Sequence, residues 1–395
     1  MDAEYDVVVV GAGPGGSSAA KFAALGGAKV LLIEKRQEIG THVRCGEGIA
    51  RDLLVQAEIP LDRSWIAAEM DGARLISPGG MKFEVDEAKA GNEVGYVVER
   101  DLFDRALAAL AGEAGAHIEV KTSATGIIKE NGKIVGLKLI HKGEPKEVRC
   151  KIIIGADGYE SQVGRWAGID TTIADTDIMT CVQYRLTNID IDPKYTEFYA
   201  GSAAPGGYIW VFPKNHNTAN VGIGLGAHIV KEGGQPKEYL DRWIAKQPGM
   251  KNARQLDMVA GGCSINAPLD SVVCDNMMLV GDAARMIDPM TGGGIAHAAL
   301  SGREAGKVAA EAIKIGDYSK EFFQKYEKAW RAEIEEKLFR NWMAKEKVQK
   351  ISDENFDSLI GLLAEVGMEN ISVFNILKAI KERLPELVKE FEDLL

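Results

Sequence analysis

Cysteine is scarce in this chain, and its copies form no ligand pattern. The five residues are Cys45, Cys150, Cys181, Cys263 and Cys274, with no C-x-x-C pair among them. An odd, scattered set is typical of reduced thiols in a cytoplasm rather than of a disulfide framework. The spacing also offers no zinc or iron–sulfur site, so no metal is expected. Any redox activity must therefore come from an organic cofactor.

Long apolar runs and an excess of positive charge are also missing. No window approaches the roughly 20 unbroken apolar residues of a membrane span, and the first residues do not resemble a signal peptide. The formal net charge is −11, which argues against a nucleic-acid partner because phosphate binding needs clustered Lys and Arg. We expect a cytoplasmic protein whose contact with a membrane, if any, is peripheral.

What the sequence does contain is a βαβ unit within its first forty residues. A buried-strand run at residues 5–10 leads into a glycine turn, Gly11–Gly16. Small residues at 17–25 predict a helix, and residues 29–34 predict the next strand. Strand, glycine turn and helix in this order predict a dinucleotide-type site.

Each glycine of the G-x-G-x-x-G turn has a physical reason. Gly11 permits the tight turn, Gly13 lets the backbone approach a pyrophosphate, and Gly16 lets helix and strand pack closely. Glu34 ends the second strand, where its carboxylate can accept hydrogen bonds from an adenosine ribose and disfavours NADP. The pattern alone does not separate NAD from FAD.

Three further segments favour FAD. Glu99–Asp104 opens a predicted helix, Gly155–Gly158 follows a strand, and Val280–Arg285 precedes the glycine-rich Asp288–Ile295. In this order they resemble the glutathione-reductase-type flavoproteins, specifically the p-hydroxybenzoate hydroxylase-like fold. The resemblance implies an α/β fold, with a Rossmann-type FAD-binding domain, an antiparallel-sheet substrate domain and a helical C-terminal region.

The resemblance also implies roles near the flavin. Asp282 would accept from a ribityl hydroxyl of FAD, and Arg100 would lie near the diphosphate or ribityl chain. The glycines before Ile295 would present N–H groups to the N1–C2=O edge of the flavin, which stabilises its anionic reduced form.

Two shorter segments carry a narrower resemblance. Arg44–Gly48 and the Tyr-x-Trp-x-Phe-Pro segment within Gly207–Pro213 are similar to the geranylgeranyl reductase family, as are the length and layout of the chain. That family saturates isoprenoid C=C bonds of membrane lipids, which implies hydride transfer from flavin N5 and protonation of the other carbon. The FAD contacts implied by both resemblances are Gly11, Gly13, Pro14, Gly15, Gly16, Glu34, Lys35, Arg44, Cys45, Gly46, Gly48, Arg100, Ala124, Asp282, Gly293, Gly294 and Ile295.

The substrate side is predicted from strand alternation. Tyr208, Trp210 and Phe212 share one face of a strand, so they line an apolar cavity for a prenyl chain or simply face a core. Gly222 and Gly224 allow close approach of a flavin ring, a prenyl chain or a neighbouring element. These alternatives stay open at this point.

Cys45 is the one cysteine in a cofactor-type segment, so it is the candidate catalytic proton donor or orienting group. The alternative is a small residue that packs on the flavin. The other four cysteines and His297 are expected to be structural. No second G-x-G-x-x-G occurs, so electrons are expected from a donor such as ferredoxin or from a diffusible reductant.

Two other functions compete with a prenyl reductase. One is an FAD monooxygenase of the same fold, and the other is an electron carrier without a lipid substrate. The segments around Cys45 and Tyr208 and the helical C-terminal region favour the reductase.

The predicted domains are discontinuous. The FAD-binding domain comprises residues 1–54, 98–170 and 275–317, the strand-rich substrate domain 55–97 and 171–274, and the helical region 318–395. Apolar residues at every fourth position from Phe322 to Trp342 predict one long amphipathic helix. The remaining element predictions are strands at 118–130 and 133–140, joined by an Asn-Gly turn, and helices at 356–366, 370–382 and 385–395.

Overall fold

The computed structural model describes residues 1–86, 95–366, 378, 381 and 382. The helices are α1 (Pro14–Leu25), α2 (Arg51–Gln56), α3 (Arg100–Glu113), α4 (Gln162–Ala167), α5 (Ala227–Lys231), α6 (Pro236–Ile244), α7 (Ile295–Ile315), α8 (Lys320–Trp330), α9 (Glu336–Val348) and α10 (Asp353–Val366). The strands are β1 (Glu4–Val10), β2 (Val30–Ile33), β3 (Gly48–Ala50), β4 (Ile66–Glu69), β5 (Gly72–Ile76), β6 (Lys82–Asp86), β7 (Gly95–Val98), β8 (His117–Glu119), β9 (Thr122–Glu130), β10 (Lys133–His141), β11 (Glu144–Gly155), β12 (Ile178–Thr187), β13 (Tyr195–Tyr199), β14 (Tyr208–Pro213), β15 (Thr218–Leu225), β16 (Arg254–Ser264), β17 (Val273–Cys274) and β18 (Met277–Leu279). The helices predicted at 370–382 and 385–395 lie outside the described residues, apart from those three single positions.

The first sheet has the order β17-β18-β11-β1-β2-β8, and β10 and β9 extend it from β11. The pairs from β18 through β11, β1 and β2 to β8 are parallel. Val8, Leu31 and Ile153 are fully buried in adjacent strands, as expected for parallel strands covered on both faces. This arrangement confirms the predicted Rossmann-type unit.

Helices α1 and α7 pack on each other through small residues. A Cβ atom built at Gly302 would lie 2.1 Å from the carbonyl oxygen of Gly15, and one at Gly306 would lie 2.5 Å from that of Ala19. A Cβ atom at Gly26 would lie 2.2 Å from the Cβ of Ala310. Backbone-to-backbone contact of this kind needs glycine, and it places the N-terminal ends of the two helices next to each other.

Gly302→Ala is expected to lower the free energy of unfolding by about 1–3 kcal/mol, because its methyl group would overlap the Gly15 carbonyl. Gly112→Ala in α3 is the matched control, since the nearest atom to its Cβ position is a side-chain carbon of Ile118 at 3.5 Å. That change should stabilise by up to about 1 kcal/mol through helix propensity. Urea unfolding measures both. Equal effects of the two changes would contradict the close packing.

The second sheet has the order β16-β12-β15-β14-β13-β5-β6 and is antiparallel except for the parallel β13–β5 pair. One face packs on α6, where Leu240 and Trp243 meet a core built from β12, β14 and β15. The opposite face carries Tyr208, Trp210 and Phe212 and is turned toward the Cys45 segment. We call this second surface the site face.

A third, small sheet has the order β3-β7-β4. It lies beside the site face, because Val97 of β7 and Met70 form a small cluster against which Phe212 packs. The division into three sequence domains stays a prediction.

Two predicted elements are wrong in detail. The strand predicted at 118–130 is two strands, separated by Lys121 with a φ of +51°. The break is needed because β8 joins the parallel sheet beside β2, whereas β9 pairs antiparallel with β10.

The long helix predicted from 322 to 342 is interrupted by a π-helical turn, Arg331–Glu335. A strict spacing of four residues drifts by about 40° per step around an α-helix, and the wider turn corrects that drift. Tyr326, Trp330 and Leu338 are consequently all fully buried.

Candidate active site

The glycines of the turn between β1 and α1 have two roles. Gly11 and Gly16 are needed for close backbone packing, and Gly13 leaves space for a ligand. Gly11 has a φ of +105°, and a Cβ atom on it would lie 2.3 Å from the carbonyl oxygen of Ala156. A Cβ atom on Gly16 would lie 1.7 Å from the carbonyl oxygen of Gly11. Gly13, in contrast, has nothing within 4 Å of its Cβ position. The open space is therefore at Gly13, where a pyrophosphate requires it.

Two helix N-termini meet at this place. Pro14 begins α1, and Ile295 begins α7 directly after Gly294. A Cβ atom on Gly15 would lie 3.1 Å from the carbonyl oxygen of Ala298, so the first turns of the two helices adjoin. The first N–H groups of a helix have no partner within it and favour anionic groups. Together the two ends suit the diphosphate and the flavin N1–C2=O edge of FAD.

The two predicted acidic contacts differ. Glu34 accepts hydrogen bonds from the N–H groups of Ala12 (3.1 Å) and Arg36 (2.9 Å), so it also braces the glycine turn. The Asp282 carboxylate makes no hydrogen bond within the described part of the chain. Burial raises the pKa of Asp282, and the positive charge of Arg100 opposes this rise. An enclosed carboxylate without a protein donor fits the ribityl hydroxyls of FAD.

Arg100 lies at the start of α3, among several predicted site residues. Its guanidinium donates to both oxygens of Asp104, at 2.9 and 3.0 Å. It also faces the Cys45 thiol, and its charge acts on Asp282. Although burial alone would lower the pKa of Arg100, Asp104 raises it well above its usual value, so the group is a fixed cation.

Three residues predicted to contact FAD have protein neighbours in the structure. Lys35 is exposed and forms an ion pair with Glu160 at 3.6 Å. Arg44 is exposed and extends over Gly261, where a Cβ atom would lie 3.3 Å from Arg44 Cδ. Ala124 lies in β9 and packs partly buried against the main core. Their contacts with FAD stay predictions.

The Cys45 segment is held by the site face. Gln183 donates from Nε2 to the carbonyl oxygen of Cys45 at 2.9 Å, and Trp210 donates from Nε1 to Gln183 Oε1 at 2.8 Å. The N–H of Glu47 donates to Cys45 Sγ at 3.2 Å. Burial raises the pKa of the Cys45 thiol, with Arg100 opposing and Glu47 reinforcing the rise. The thiol is thus protonated at neutral pH, as a proton donor requires.

Gly46 and Gly48 lie against the ring of Phe212. Cβ atoms on the two glycines would fall 2.8 and 3.1 Å from Phe212 Cε2. Both were predicted to contact FAD; the structure instead explains them by the ring that covers them, and an FAD contact stays a prediction.

The three aromatic residues share one face, as the alternation predicted. The ring centroids of Tyr208 and Trp210 are 5.9 Å apart. Phe198 of β13 packs between the ends of the row, 5.6 Å from Tyr208 and 5.4 Å from Phe212. Tyr208 Oη donates to the carbonyl oxygen of Thr291 in the loop before α7. The row therefore connects the flavin-type loop to the Cys45 segment.

Gly222 and Gly224 make room for side chains of their own sheet. A Cβ atom on Gly222 would lie 2.2 Å from the indole of Trp210. One on Gly224 would lie 2.8 Å from Met179 Cγ and 3.5 Å from Cys181 Sγ. Of the alternatives that the sequence left open, the neighbouring-element one accounts for both glycines.

Two cysteines expected to be plain core residues lie on the site face instead. The register pairs Cys181 with Gly261 and Cys263 with Met179, which puts both thiols on one face. A Cβ atom on Gly292 would lie 3.7 Å from Cys263 Sγ. Burial raises the pKa of Cys181 to about 12, and that of Cys263 well above its usual value. The sequence carried no signal for this pair, because their shared face depends on the register between β12 and β16.

Family models and curated relatives agree with a flavin-type site of this kind. A model described as the geranylgeranyl reductase catalytic domain matches residues 177–263, and one described as an NAD(P)-binding Rossmann-like domain matches residues 9–56. The digeranylgeranylglycerophospholipid reductase of Thermoplasma acidophilum is 52% identical over 393 residues, 99% of each chain. That of Picrophilus torridus is 47% identical over 397 residues, 100% of each chain. The chain belongs to the digeranylgeranylglycerophospholipid reductase family.

Solved structures agree with membership of the digeranylgeranylglycerophospholipid reductase family. A geranylgeranyl bacteriochlorophyll reductase-like protein from Thermoplasma acidophilum superposes with a TM-score of 0.94 at 52% identity, covering 99% of both chains. A flavin-dependent brominase superposes with a TM-score of 0.70 at 21% identity, covering 97% of this chain and 100% of its own, which shows the fold alone. The predicted family and fold are thereby confirmed.

In this member of the digeranylgeranylglycerophospholipid reductase family, the matched catalytic-domain segment contains β12 to β16, which carry the site face. Among the described residues, no helix has the length and apolarity needed to cross a bilayer. The same part of the chain contains no group of three or more His, Cys, Asp or Glu side chains suited to a metal ion.

Sequence reasoning missed a charge cluster of buried and half-buried side chains behind the Cys45 segment. Its members are Glu47, Glu99, Arg185, Lys214 and Asn220. They come from five places in the chain, and no spacing rule connects them. Glu47 and Glu99 lie in segments singled out from the sequence, whereas Arg185, Lys214 and Asn220 do not.

Proposed function

We propose that this chain is an FAD-dependent reductase acting on CH–CH groups, which saturates isoprenoid C=C bonds of geranylgeranyl chains in archaeal-type membrane lipid precursors. The observation that carries the proposal is the aromatic row, which links the Cys45 segment to the flavin-type loop at Thr291. Relatives named digeranylgeranylglycerophospholipid reductase support this activity over the monooxygenase alternative.

The cofactor would be held by the chain at both of its ends. The open space at Gly13 and the N-terminus of α1 suit the diphosphate, and the enclosed Asp282 carboxylate suits the ribityl chain. The N–H groups after Gly294 suit the pyrimidine edge of the flavin. Reduced FAD, when bound, supplies the hydride.

The side chains of the site face would supply the rest of the chemistry. Cys45 holds a proton on Sγ through neutral pH and is our candidate to deliver it to the second alkene carbon. The rings of Tyr208, Trp210 and Phe212 exclude water and place π faces beside the tertiary carbon where positive charge develops. An isolated alkene has no group that forms hydrogen bonds, so the shape of the binding surface must position it.

Two partners complete the proposal. Electrons would come from a small donor protein such as ferredoxin or from a diffusible reductant. Contact with the cytoplasmic membrane face would be peripheral and would involve α9, where Phe339 is 46% exposed and lies 5.4 Å from Trp342 between ring centroids. This helix carries four basic and two acidic residues, although the chain has a net charge of −11. The local excess of basic residues favours contact with an anionic lipid surface.

The test is mass spectrometry of an anaerobic incubation of protein, FAD and dithionite with digeranylgeranylglyceryl phosphate. We expect mass gains in steps of two hydrogens per double bond, and no gain when protein is omitted. No gain on this lipid or on geranylgeranyl diphosphate, with FAD bound and reduced, would contradict the proposal. Oxygen uptake with a hydroxylated product would then favour the monooxygenase.

A further inference from the structure

Glu47 is a buried acid in an unusual backbone conformation. Its side chain is 1% exposed, and its φ of +75° lies in the left-handed region. One carboxylate oxygen accepts from the backbone N–H of Arg100 at 2.9 Å. The other accepts from Arg185 at 3.0 Å and from Lys214 at 2.7 Å. Strain of this kind persists only where surrounding contacts impose it.

A second acid balances the charges. Glu99 accepts from Arg185 at 3.0 Å and from Lys214 at 3.2 Å. The cluster therefore contains two carboxylates and two cations. Burial would lower the pKa of Arg185, but the carboxylates of Glu47 and Glu99 outweigh it and raise the pKa. Arg185 therefore stays charged between the two carboxylates.

The cluster joins two parts of the molecule. Glu47 precedes β3 and Glu99 precedes α3, whereas Arg185 and Asn220 project from the site face and Lys214 directly follows β14. Asn220 is fully buried and donates from Nδ2 to the carbonyl oxygen of Gly46 at 3.2 Å and to Glu47. The residues on either side of Gly46 are thus fixed to the sheet, with Cys45 among them.

We propose that Glu47 is a positioning residue, which through Arg185, Lys214 and Asn220 locks the Cys45 segment against the site face and keeps the Cys45 thiol directed at the reaction site. One direct and one indirect contact link Glu47 to that thiol. Its own N–H donates to Cys45 Sγ. Its carboxylate accepts from the N–H of Arg100, whose guanidinium faces the same sulfur. The use of the thiol in alkene reduction rests on the proposed function; its placement does not.

The charge of Glu47 also bears on the protonation of the thiol. The titratable groups that face Cys45 are Arg100 on α3, Glu47 in its own segment, and Tyr208 and Cys263 on the site face. Arg100 favours the thiolate, and Glu47 disfavours it. Removing the Glu47 charge should therefore lower the pKa of Cys45 and loosen its segment at the same time.

The first experiment measures iodoacetamide labelling of each cysteine by mass spectrometry, from pH 6 to 10, in the FAD-bound protein. In Glu47→Gln we expect Cys45 to react about tenfold faster at pH 8, with its pH profile shifted to lower pH. Glu197→Gln is the matched control, because Glu197 lies 3.6 Å from Arg74 on the opposite face of the same sheet. It should leave Cys45 labelling unchanged.

Cys150 serves as an internal reporter of unfolding, since it is 7% exposed in the core strand β11. A rise at Cys45 with constant labelling of Cys150 supports the proposal. An equal rise in labelling at both cysteines would overturn it, and so would a Cys45 labelling rate that does not rise.

A charge-balanced double variant separates positioning from stability. Glu47→Gln with Lys214→Met leaves Arg185 paired with Glu99 and no unmatched charge, which usually restores stability when a buried pair is replaced as a whole. We expect the melting temperature to recover while Cys45 labelling stays fast. If the melting temperature recovers and Cys45 labelling also returns to the wild-type rate, Glu47 acts on stability alone, and the positioning role is rejected.

Lipid turnover keeps this proposal distinct from the proposed function. If wild-type protein reduces the prenyl lipid, Glu47→Gln should lower turnover at least tenfold while dithionite still reduces its FAD. If wild-type protein does not reduce the lipid, the proposed function fails, and the labelling result still decides whether Glu47 positions Cys45.

Discussion

Replacing Gly16 with alanine is expected to abolish FAD binding and to destabilise the protein by about 3 kcal/mol. The new methyl group would lie 1.7 Å from the carbonyl oxygen of Gly11, and both partners are backbone, so neither can rotate away. Helix α1 would have to move off β1, which displaces its N-terminal N–H groups. Flavin absorbance after gel filtration and urea unfolding measure the two effects.

Gly13→Ala in the same turn is the matched comparison. Nothing lies within 4 Å of the added methyl, and the φ of −73° suits alanine, so the free energy of unfolding without FAD should change by less than about 0.5 kcal/mol. FAD affinity should still fall, because the methyl occupies the space that a pyrophosphate needs. A Gly13→Ala protein that binds FAD normally would contradict the placement of the diphosphate.

Cys45→Ala is expected to lower prenyl-lipid turnover by a factor of about 10²–10⁴, the usual contribution of a positioned acid. FAD content and the rate of flavin reduction by dithionite should not change, because Gly13, Asp282 and the N–H groups after Gly294 are unaltered. Single-turnover mass spectrometry of the lipid under anaerobic conditions gives the rate of the chemical step.

Cys181→Ala is the control, since Cys181 is a second buried thiol on the same face but lies outside the Cys45 segment. It should keep turnover within about threefold of wild type. Wild-type turnover in Cys45→Ala would show that the cysteine only packs against its neighbours. A loss of FAD in that variant would instead assign Cys45 to cofactor binding.

The parts of the site predicted from sequence are those that depend on short-range geometry. Gly11, Gly13 and Gly16 follow from one turn, and the shared face of Tyr208 and Trp210 follows from the two-residue period of a strand. Asp282 was implied by its family pattern. Its carboxylate makes no hydrogen bond among the described residues, which agrees with that assignment.

What the sequence did not predict depends on register between distant strands. Cys263 joins Cys181 only because β16 pairs with β12 in one of many conceivable registers. Glu47 and Lys214 form an ion pair although they lie 167 positions apart in the sequence. No local rule brings an acid and a base together over that separation. The break at Lys121 likewise follows from which neighbour each strand adopts, not from its composition.

The aromatic row has a consequence for substrate selectivity. The polar atoms of Tyr208 and Trp210 are both engaged by protein acceptors, Thr291 and Gln183, so the row offers a prenyl chain carbon surfaces alone. A hydrocarbon pocket discriminates one methylene by only about 1–3 kcal/mol, whereas unpaired polar groups discriminate far more strongly. Choice among prenyl lipids is therefore expected to rest on the head group, and chains with some double bonds already saturated should remain substrates.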